Sequence, residues 1–162
     1  MAFSPSHHYA VRVEWTGNLG TGTDHYRSYR RDHTVSAEGV PDIQGSSDPT
    51  FRGDRSRWNP EQLLLAALAQ CHMLSYLHHC AVNGVVVLSY ADGAEGTMVT
   101  EGNGGRFTEA VLRPRIEIAE EPTREQALAL HGPAARDCFI ASSVNFPVRH
   151  EPVVTVRAAG PA

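Results

Sequence analysis

Three cysteines, Cys71, Cys80 and Cys138, are the side chains of this 162-residue sequence with the clearest capacity for chemistry. Cysteine is among the most buried residue types, so the ordinary interpretation of each is a small core residue. An odd number of cysteines does not favour a disulfide framework, and the sequence has no Cys-x-x-Cys pair of the kind found in structural zinc sites. If these cysteines do more than pack, we therefore expect reactive thiol chemistry.

The spacing of the cysteines excludes one pairing. Cys71 and Cys80 fall on a single predicted helix, nine residues apart. That separation corresponds to about 900° of rotation and about 13 Å of rise, so the two thiols face opposite ways and cannot form a disulfide. Cys80 keeps its interpretation as a core residue. Cys71 and Cys138 lie on different predicted elements, so helix geometry does not prevent them from pairing.

The segment Asn59–Asn83 predicts the long helix around which the rest of the chain is organised. It opens with an asparagine typical of an N-cap, followed by Pro60 at the first helical position and by Gln62, which can complete a capping box. It ends before Gly84, a residue suited to the left-handed C-cap conformation. Beyond Glu61 the helix carries no Asp, Glu, Lys or Arg, so we expect it to be buried on most sides.

The remaining segments alternate between extended and helical patterns. Strands are predicted at residues 8–15, 26–35, 85–90, 94–100, 106–119 and 152–156. A capping box at Thr123 predicts a shorter helix over residues 123–130, which Gly132-Pro133 interrupts before a further helical piece at 134–142 that contains Cys138. This order indicates an α+β fold with antiparallel sheets wrapped around a long central helix, in a single domain over residues 1–162.

The predicted loops give little support to a nucleotide site. Residues 16–23 are rich in glycine but lack the following helix that a phosphate-binding loop needs, so a hairpin turn is the better interpretation. Residues 102–105 are expected to close a second hairpin. Residues 39–58 form a long polar loop, and loops of this length in small domains are usually functional or mobile.

Charge and composition limit the possible partners. The net charge is −4, the isoelectric point is near 6.1, and no block of Lys or Arg is present, which argues against nucleic acid or an anionic membrane as partner. The first residues lack the pattern of a secretory signal, so we expect a cytoplasmic protein. His72, His78 and His79 interrupt the apolar helix but lack the i, i+4 spacing of a helical metal site. We expect neither a metal nor a bound cofactor.

The run Asn59-Pro60-Glu61-Gln62-Leu63 leads through an alanine-rich stretch to Cys71, and Cys138 follows near the end of a later predicted helix. This combination resembles the OsmC/Ohr family of thiol peroxidases, in which the equivalent run opens the helix of the peroxidatic cysteine and its glutamate stands ten residues before that cysteine. The resemblance implies that Cys71 is peroxidatic, that Cys138 is the resolving cysteine and that Glu61 belongs to the site. It also implies an intertwined homodimer whose site lies at the subunit boundary.

The activity implied by the resemblance is the reduction of organic hydroperoxides, and more weakly of hydrogen peroxide, in the oxidative-stress response. An external dithiol supplies the electrons, and no cofactor is required. Thiolate attack on the peroxide gives a sulfenic acid, which the second cysteine converts to a disulfide before it oxidises further. Two features differ from the best-known members: Cys138 is followed by Phe139-Ile140-Ala141, where a C-P-[YV]-S sequence is usual, and Cys71 by His72, where Phe is frequent. They indicate a separate branch.

A peroxidatic thiolate needs a cation nearby, and the arginines of residues 26–33 are the candidates. Arg27 and Arg31 share one face of the predicted strand, while Arg30 lies on the other. The family's arginine stands a few residues before a Val-Ser pair, here Val35-Ser36, which admits Arg30 or Arg31. We take Arg31 as the first candidate, with Arg27 in support. A solvated strand charge is the alternative interpretation of each.

Glu61 and Cys71 are separated by ten residues of predicted helix, or about 15 Å of rise. A carboxylate at that distance reaches a shared site only if the helix is broken or if it comes from the partner subunit. No Pro or Gly lies between them, so we predict that the partner supplies it. Two other functions stay open: a non-catalytic, stress-associated module that binds a small apolar ligand, and, more weakly, a hydrolase using Cys71 with a histidine.

Overall fold

The computed structural model describes residues 6–158. It divides into two compact units, with the boundary between Leu63 and Leu64 in the first turn of the long helix. The single domain over residues 1–162 stays a prediction. Within residues 6–158, no helix combines the length and the apolar character that a membrane crossing requires.

The N-terminal unit contains a three-stranded antiparallel sheet in the order β1-β2-β3. Its strands are β1 (Arg12–Trp15), β2 (His33–Ser36) and β3 (Ile43–Gly45). Only the last residues of the predicted strands 8–15 and 26–35 are therefore extended and paired, and β3 lies inside the segment predicted as a loop. Residues 26–29 form turns instead, because Ser28 bonds locally to the carbonyl of His25 and to the carboxylate of Asp24.

The apolar face predicted for the first strand is not buried in this chain. Four of its side chains, at alternating positions, are 85%, 70%, 63% and 42% exposed: Tyr9, Val11, Val13 and Trp15. The prediction of a half-buried strand is therefore wrong for the isolated chain. Side chains of this size in one alternating row are typical of a surface that another element or another protein covers.

The long helix, α1, runs from Pro60 to Val82 and confirms the prediction closely. Its capping box is formed as expected, since the Gln62 N–H donates to Asn59 Oδ1 at 2.8 Å and the Asn59 N–H donates to Gln62 Oε1 at 3.2 Å. Gly84, just beyond the C-terminus, has a φ of +73°.

The fully buried face of α1 is narrower than predicted. Its fully buried residues follow a four-residue spacing on a single stripe: Leu68, His72, Tyr76 and Cys80. Leu74 and Val82, on other sides of the helix, are 61% and 64% exposed. The expectation that α1 is buried on most sides is therefore confirmed only in part, since most of its residues are buried or half-buried but one stripe is exposed.

The C-terminal unit has two three-stranded sheets, in the orders β4-β7-β9 and β5-β6-β8. The strands are β4 (Val87–Asp92), β5 (Glu95–Glu101), β6 (Gly104–Leu112), β7 (Pro114–Ile118), β8 (Val148–His150) and β9 (Val153–Val156). The segment predicted as one strand at 106–119 is thus two strands in different sheets, separated at Arg113 before a proline that suits a strand's first position. The predicted hairpin between β5 and β6 is present.

The predicted antiparallel pairing is incomplete. β6 pairs with β8, and β7 with β9, in parallel. β8 had no counterpart in the sequence prediction, because three residues are too few for a periodic pattern to be distinctive. The α+β content is confirmed, whereas the wrapping of the sheets around a central helix stays a prediction.

Two short helices follow the sheets, α2 (Arg124–Ala129) and α3 (His131–Arg136). The predicted capping box at Thr123 is not formed, since its hydroxyl donates to the Glu120 carbonyl instead. Pro133 lies in the first turn of α3, where a missing N–H is tolerated, so Gly132-Pro133 lies within a helix and does not interrupt one. The predicted helix at 134–142 therefore ends early, and Cys138 lies in the turn after α3.

The main hydrophobic core of the C-terminal unit packs α1 against one sheet and the short helices. Its buried members are Tyr76, Cys80, Val85, Ile116, Ile118, Ala127, Leu130, Ala134 and Val154. Cys80 is 1% exposed in this cluster, and burial raises the pKa of its thiol. It is a core residue, as predicted.

Candidate thiol site

Cys71 and Cys138 are neighbours in the C-terminal unit, close enough for each thiol to affect the other. Cys71 is partly exposed near the middle of α1, while Cys138 is 1% exposed in the turn that follows α3. The pKa of the Cys138 thiol is raised to about 11, mainly by burial and to a lesser extent by hydrogen bonding to Cys71. The fold therefore brings together the two cysteines that the spacing argument left free to pair, and both are present as thiols.

The turn around Cys138 is fixed by local hydrogen bonds. The Ser142 N–H and hydroxyl both donate to the Cys138 carbonyl at 3.1 Å. The Ala141 N–H donates to Cys138 Sγ at 3.4 Å. These bonds fix the backbone conformation at Cys138. The position of its sulfur is therefore determined by the turn and not by a helix.

The environment makes the two thiols unequal. With its pKa near 11, Cys138 is protonated at neutral pH, and its burial keeps it from solvent. Cys71 is the more exposed residue of the pair. The arrangement therefore places a partly exposed thiol next to a buried one.

A buried histidine cluster lies elsewhere in the same unit and was missed from the sequence. His72 Nε2 is 3.0 Å from His131 Nδ1, and the ring centroids of His72 and His150 are 4.1 Å apart. Burial, with His150 and His131 as further causes, lowers the pKa of His72 to about 3. Burial and His150 lower that of His131 to about 4. These rings are neutral at pH 7.

The sequence could have indicated His72 through its four-residue spacing from Tyr76 on an apolar helix. His131 and His150, on α3 and β8, carry no such signal, because the contact joins distant segments. No group of three or more His, Cys, Asp or Glu residues among positions 6–158 is arranged to hold a metal ion.

The predicted arginines lie in the N-terminal unit. The Arg31 guanidinium lies 4.3 Å from the ring centroid of Tyr26 and 4.2 Å from that of Tyr29. It donates to the carbonyls of the same two residues at 2.8 Å and 2.7 Å. Arg27 is exposed. Because residues 26–29 form turns, the prediction that Arg27 and Arg31 share a strand face is wrong.

Glu61 lies in the first turn of α1. Its Oε2 atom is buried, and no residue among 6–158 provides it with a hydrogen-bond partner. Since α1 is continuous from Pro60 to Val82, the helix has no break that would return Glu61 towards Cys71 of its own chain. Of the two arrangements considered from the sequence, the broken helix is excluded.

Comparison with known proteins agrees with this fold. A family model described as OsmC-like protein matches residues 53–152. An OsmC-like protein of unknown function from Vibrio cholerae is 31% identical, with 91% of this chain and 100% of that chain covered and a TM-score of 0.82. No curated protein is significantly similar to the chain.

Two more distant structures share the fold. An organic hydroperoxide resistance protein from Elizabethkingia anophelis is 15% identical, with 95% of this chain and 99% of that chain covered and a TM-score of 0.66. An organic hydroperoxide resistance protein from Legionella pneumophila is 17% identical, with 93% and 98% covered and a TM-score of 0.64. At these identities the likeness concerns the fold alone.

Proposed function

Because the chain belongs to the family of OsmC-like proteins, we propose that it is a thiol-dependent peroxidase in which Cys71 attacks an organic hydroperoxide and Cys138 resolves the product. The observation that carries the proposal is the proximity of a partly exposed Cys71 to a buried, protonated Cys138. The names of the two more distant structures, both organic hydroperoxide resistance proteins, support the substrate class. Hydrogen peroxide is proposed as the weaker substrate.

The first step oxidises Cys71. Its thiolate attacks the terminal oxygen of the hydroperoxide, the O–O bond breaks and an S–O bond forms. The leaving alkoxide takes a proton and departs as an alcohol. Cys71 is left as a sulfenic acid, oxidised by two electrons.

The second step protects Cys71 from further oxidation. The Cys138 sulfur attacks the sulfenic sulfur, its thiol proton and the sulfenic hydroxyl leave as water, and a disulfide forms. An external dithiol then reduces this disulfide and becomes a disulfide itself, restoring both thiols. The chain itself needs no cofactor for this cycle. We place it in the cytoplasm, where dithiol reductants are maintained.

Activation of Cys71 is assigned to Arg31, with Arg27 in support, and to Glu61. A guanidinium near a thiolate stabilises its negative charge, and a carboxylate can orient that guanidinium through paired hydrogen bonds. The unpartnered, buried Oε2 of Glu61 supports a cationic partner for that carboxylate, because an isolated buried carboxylate oxygen is costly. The engagement of Arg31 by Tyr26 and Tyr29 shows a guanidinium already held in a defined place within its own unit.

We further propose that the active species is a homodimer. The exposed apolar row of Tyr9, Val11, Val13 and Trp15 supports this, since a second copy would cover it. With the helix unbroken, the partner subunit is then the source of Glu61 for each Cys71 site.

A thiol titration tests the proposed function directly. Stoichiometric cumene hydroperoxide should remove two of the three free thiols, leave Cys80 reduced, and release the corresponding alcohol. Dithiothreitol should restore both thiols. A non-catalytic binding protein would keep all of its thiols under the same treatment, and that result would reject the peroxidase assignment.

A further inference from the structure

A hydrogen-bonded pair joins α1 to the turn that carries Cys138. His79 Nε2 lies 2.8 Å from Asp137 Oδ2. The carboxylate oxygen accepts, so the imidazole N–H donates. Asp137 immediately precedes Cys138, and His79 lies eight residues after Cys71 on the same helix. The pair therefore connects the two segments that bear the two thiols.

Other restraints on this turn act differently. The bonds from Ser142 and Ala141 to Cys138 are local and shape the turn without tying it to α1. α3 is held upstream by the buried His131 and Ala134. Ile140 and Ala141 also pack against the cluster around Leu68 of α1. Among the side-chain hydrogen bonds of the described residues, the His79–Asp137 pair is the one that joins α1 to residues 137–147.

The pair can restrain the turn that carries Cys138 because the side chain of His79 is largely buried. The His79 side chain is 18% exposed, whereas that of Asp137 is 63% exposed. Asp137 also ends α3, where its N–H donates to the Pro133 carbonyl. Asp137 is thus held by hydrogen bonds of both its backbone and its side chain. This limits the positions that the next residue, Cys138, can take.

We propose that His79 and Asp137 are positioning residues that hold the Cys138 sulfur against Cys71. The inference rests on the proposed function for its consequence: a well-placed Cys138 captures the Cys71 sulfenic acid before a second peroxide does. Without the pair, the turn moves more freely and the effective concentration of Cys138 at Cys71 falls. Because the pair is partly exposed, we expect this loss to be about two- to fivefold.

A glutathione redox buffer measures this quantity without any peroxide. Oxidised glutathione takes two electrons from Cys71 and Cys138, which form a disulfide, and is itself reduced to two thiols. The equilibrium constant, read by alkylation and mass spectrometry, should fall about two- to fivefold in His79→Ala and Asp137→Ala. His79→Gln, which keeps an N–H donor, should lie closer to the unaltered protein. His78→Ala, an exposed neighbour on α1, is the matched control.

The double variant decides whether the two side chains act through each other. His79→Ala combined with Asp137→Ala should lose no more than either single change, since both remove one contact. An unchanged equilibrium constant in His79→Ala, or additive losses in the double variant, would overturn the proposal. Measurement well below the thermal transition of every variant separates positioning from loss of the fold.

A peroxide arm then separates this inference from the proposed function. Under excess hydroperoxide, His79→Ala should accumulate more Cys71 sulfinic acid per turnover, while His78→Ala should match the unaltered protein. If the unaltered protein does not react with hydroperoxide, the proposed function fails. The glutathione measurement still decides whether the pair positions Cys138.

Discussion

His72 Nε2 lies 3.0 Å from His131 Nδ1 in the interior of the C-terminal unit. One nitrogen donates and the other accepts, which leaves His72 Nδ1 and His131 Nε2 at the outer ends of the pair. Both end atoms are buried without a hydrogen-bond partner among residues 6–158. A proton added to either ring would be poorly solvated, which is why burial holds both pKa values far below the ordinary one.

The lowered pKa values of His72 and His131 predict that the protein loses stability in mild acid. In the unfolded chain both histidines titrate near 6.5, but folded they titrate near 3 and 4. Below pH 6.5 the unfolded state binds more protons, so the free energy of unfolding falls as pH decreases towards 4. Each histidine contributes a slope of at most about 1.4 kcal/mol per pH unit. Urea unfolding at several pH values between 7.5 and 4.5 measures it.

Apolar replacement should flatten that pH dependence. A protein with His72→Phe and His131→Leu no longer has these two neutral imidazoles, which take up protons on unfolding. Because both partners are removed together, no buried ring nitrogen is left without its hydrogen-bond partner. His78→Gln, at an exposed position on the same helix, is the control and should keep the slope. If the double variant retains the full acid dependence, the histidine pair is not its cause. His150, whose pKa is also lowered by burial, is then the remaining buried histidine that could cause it.

Cysteine variants should separate the two thiol roles. Cys71→Ser should abolish peroxide turnover, because the attacking sulfur is lost. Cys138→Ser should consume one equivalent and then convert Cys71 to sulfinic acid under excess peroxide, as no thiol remains to capture the sulfenic acid. Mass spectrometry of the intact chain distinguishes these products. Cys80→Ser, a core change far from the cycle, should be nearly silent in turnover, and full activity in Cys71→Ser would reject the assignment.

Local signals made α1 predictable. Its start depends on the reciprocal bonds of Asn59 and Gln62 and its end on Gly84, all of which act within a few residues of sequence. The exclusion of a Cys71–Cys80 pair needed only helix geometry. The same reasoning failed at Cys138, because Gly132-Pro133 reads as a break in sequence but is accommodated in the first turn of a short helix.

Contacts between distant segments were beyond the sequence patterns. Cys71 and Cys138 lie on different elements and so were free to meet, but their spacing does not show that they do. Nothing in the sequence connects His72 with His131 or His79 with Asp137. The extended pattern at residues 26–31 was overridden by the local bonds of Ser28 and by the two rings that hold Arg31. Tertiary packing decides such contacts, and periodicity does not record it.

Removing the proposed cation should slow reactions of Cys71. With Arg31→Met, we expect iodoacetamide to alkylate Cys71 about three- to tenfold more slowly at neutral pH, since a nearby guanidinium favours the reactive thiolate. Arg27→Met, which removes the supporting charge, should have a smaller effect. Arg30→Met serves as the matched comparison on the same segment. Unchanged alkylation rates in all three variants would show that activation does not come from these arginines.

The tyrosines that hold Arg31 should modulate the same rate. Tyr26→Leu combined with Tyr29→Leu removes both ring faces but leaves the two backbone carbonyls that accept from Arg31. We expect the alkylation rate of Cys71 to change in this double variant only while Arg31 is present. An equal change in an Arg31→Met background would mean that the tyrosines act through the fold and not through the guanidinium.

The unbroken helix between Glu61 and Cys71 leads to a test of subunit sharing. Glu61→Ala chains keep Cys71, and Cys71→Ser chains keep Glu61, so each homodimer should be inactive. In a heterodimer, a site that takes Glu61 from the partner subunit has both residues once, whereas a site built within one chain always lacks one. Random mixing of equal amounts should therefore restore about a quarter of the unaltered activity, because half the dimers are mixed and each has one complete site.

Subunit exchange must be demonstrated in the same sample, by giving the two chains different affinity tags and isolating the doubly tagged species. That species should reduce cumene hydroperoxide at about half the rate of the unaltered dimer, since one of its two sites is complete. A Glu61→Ala chain mixed with a chain carrying both changes provides the control, because no combination of those chains restores a complete site. If the doubly tagged heterodimer is as inactive as that control, Glu61 does not reach Cys71 across the dimer, and the shared site is rejected.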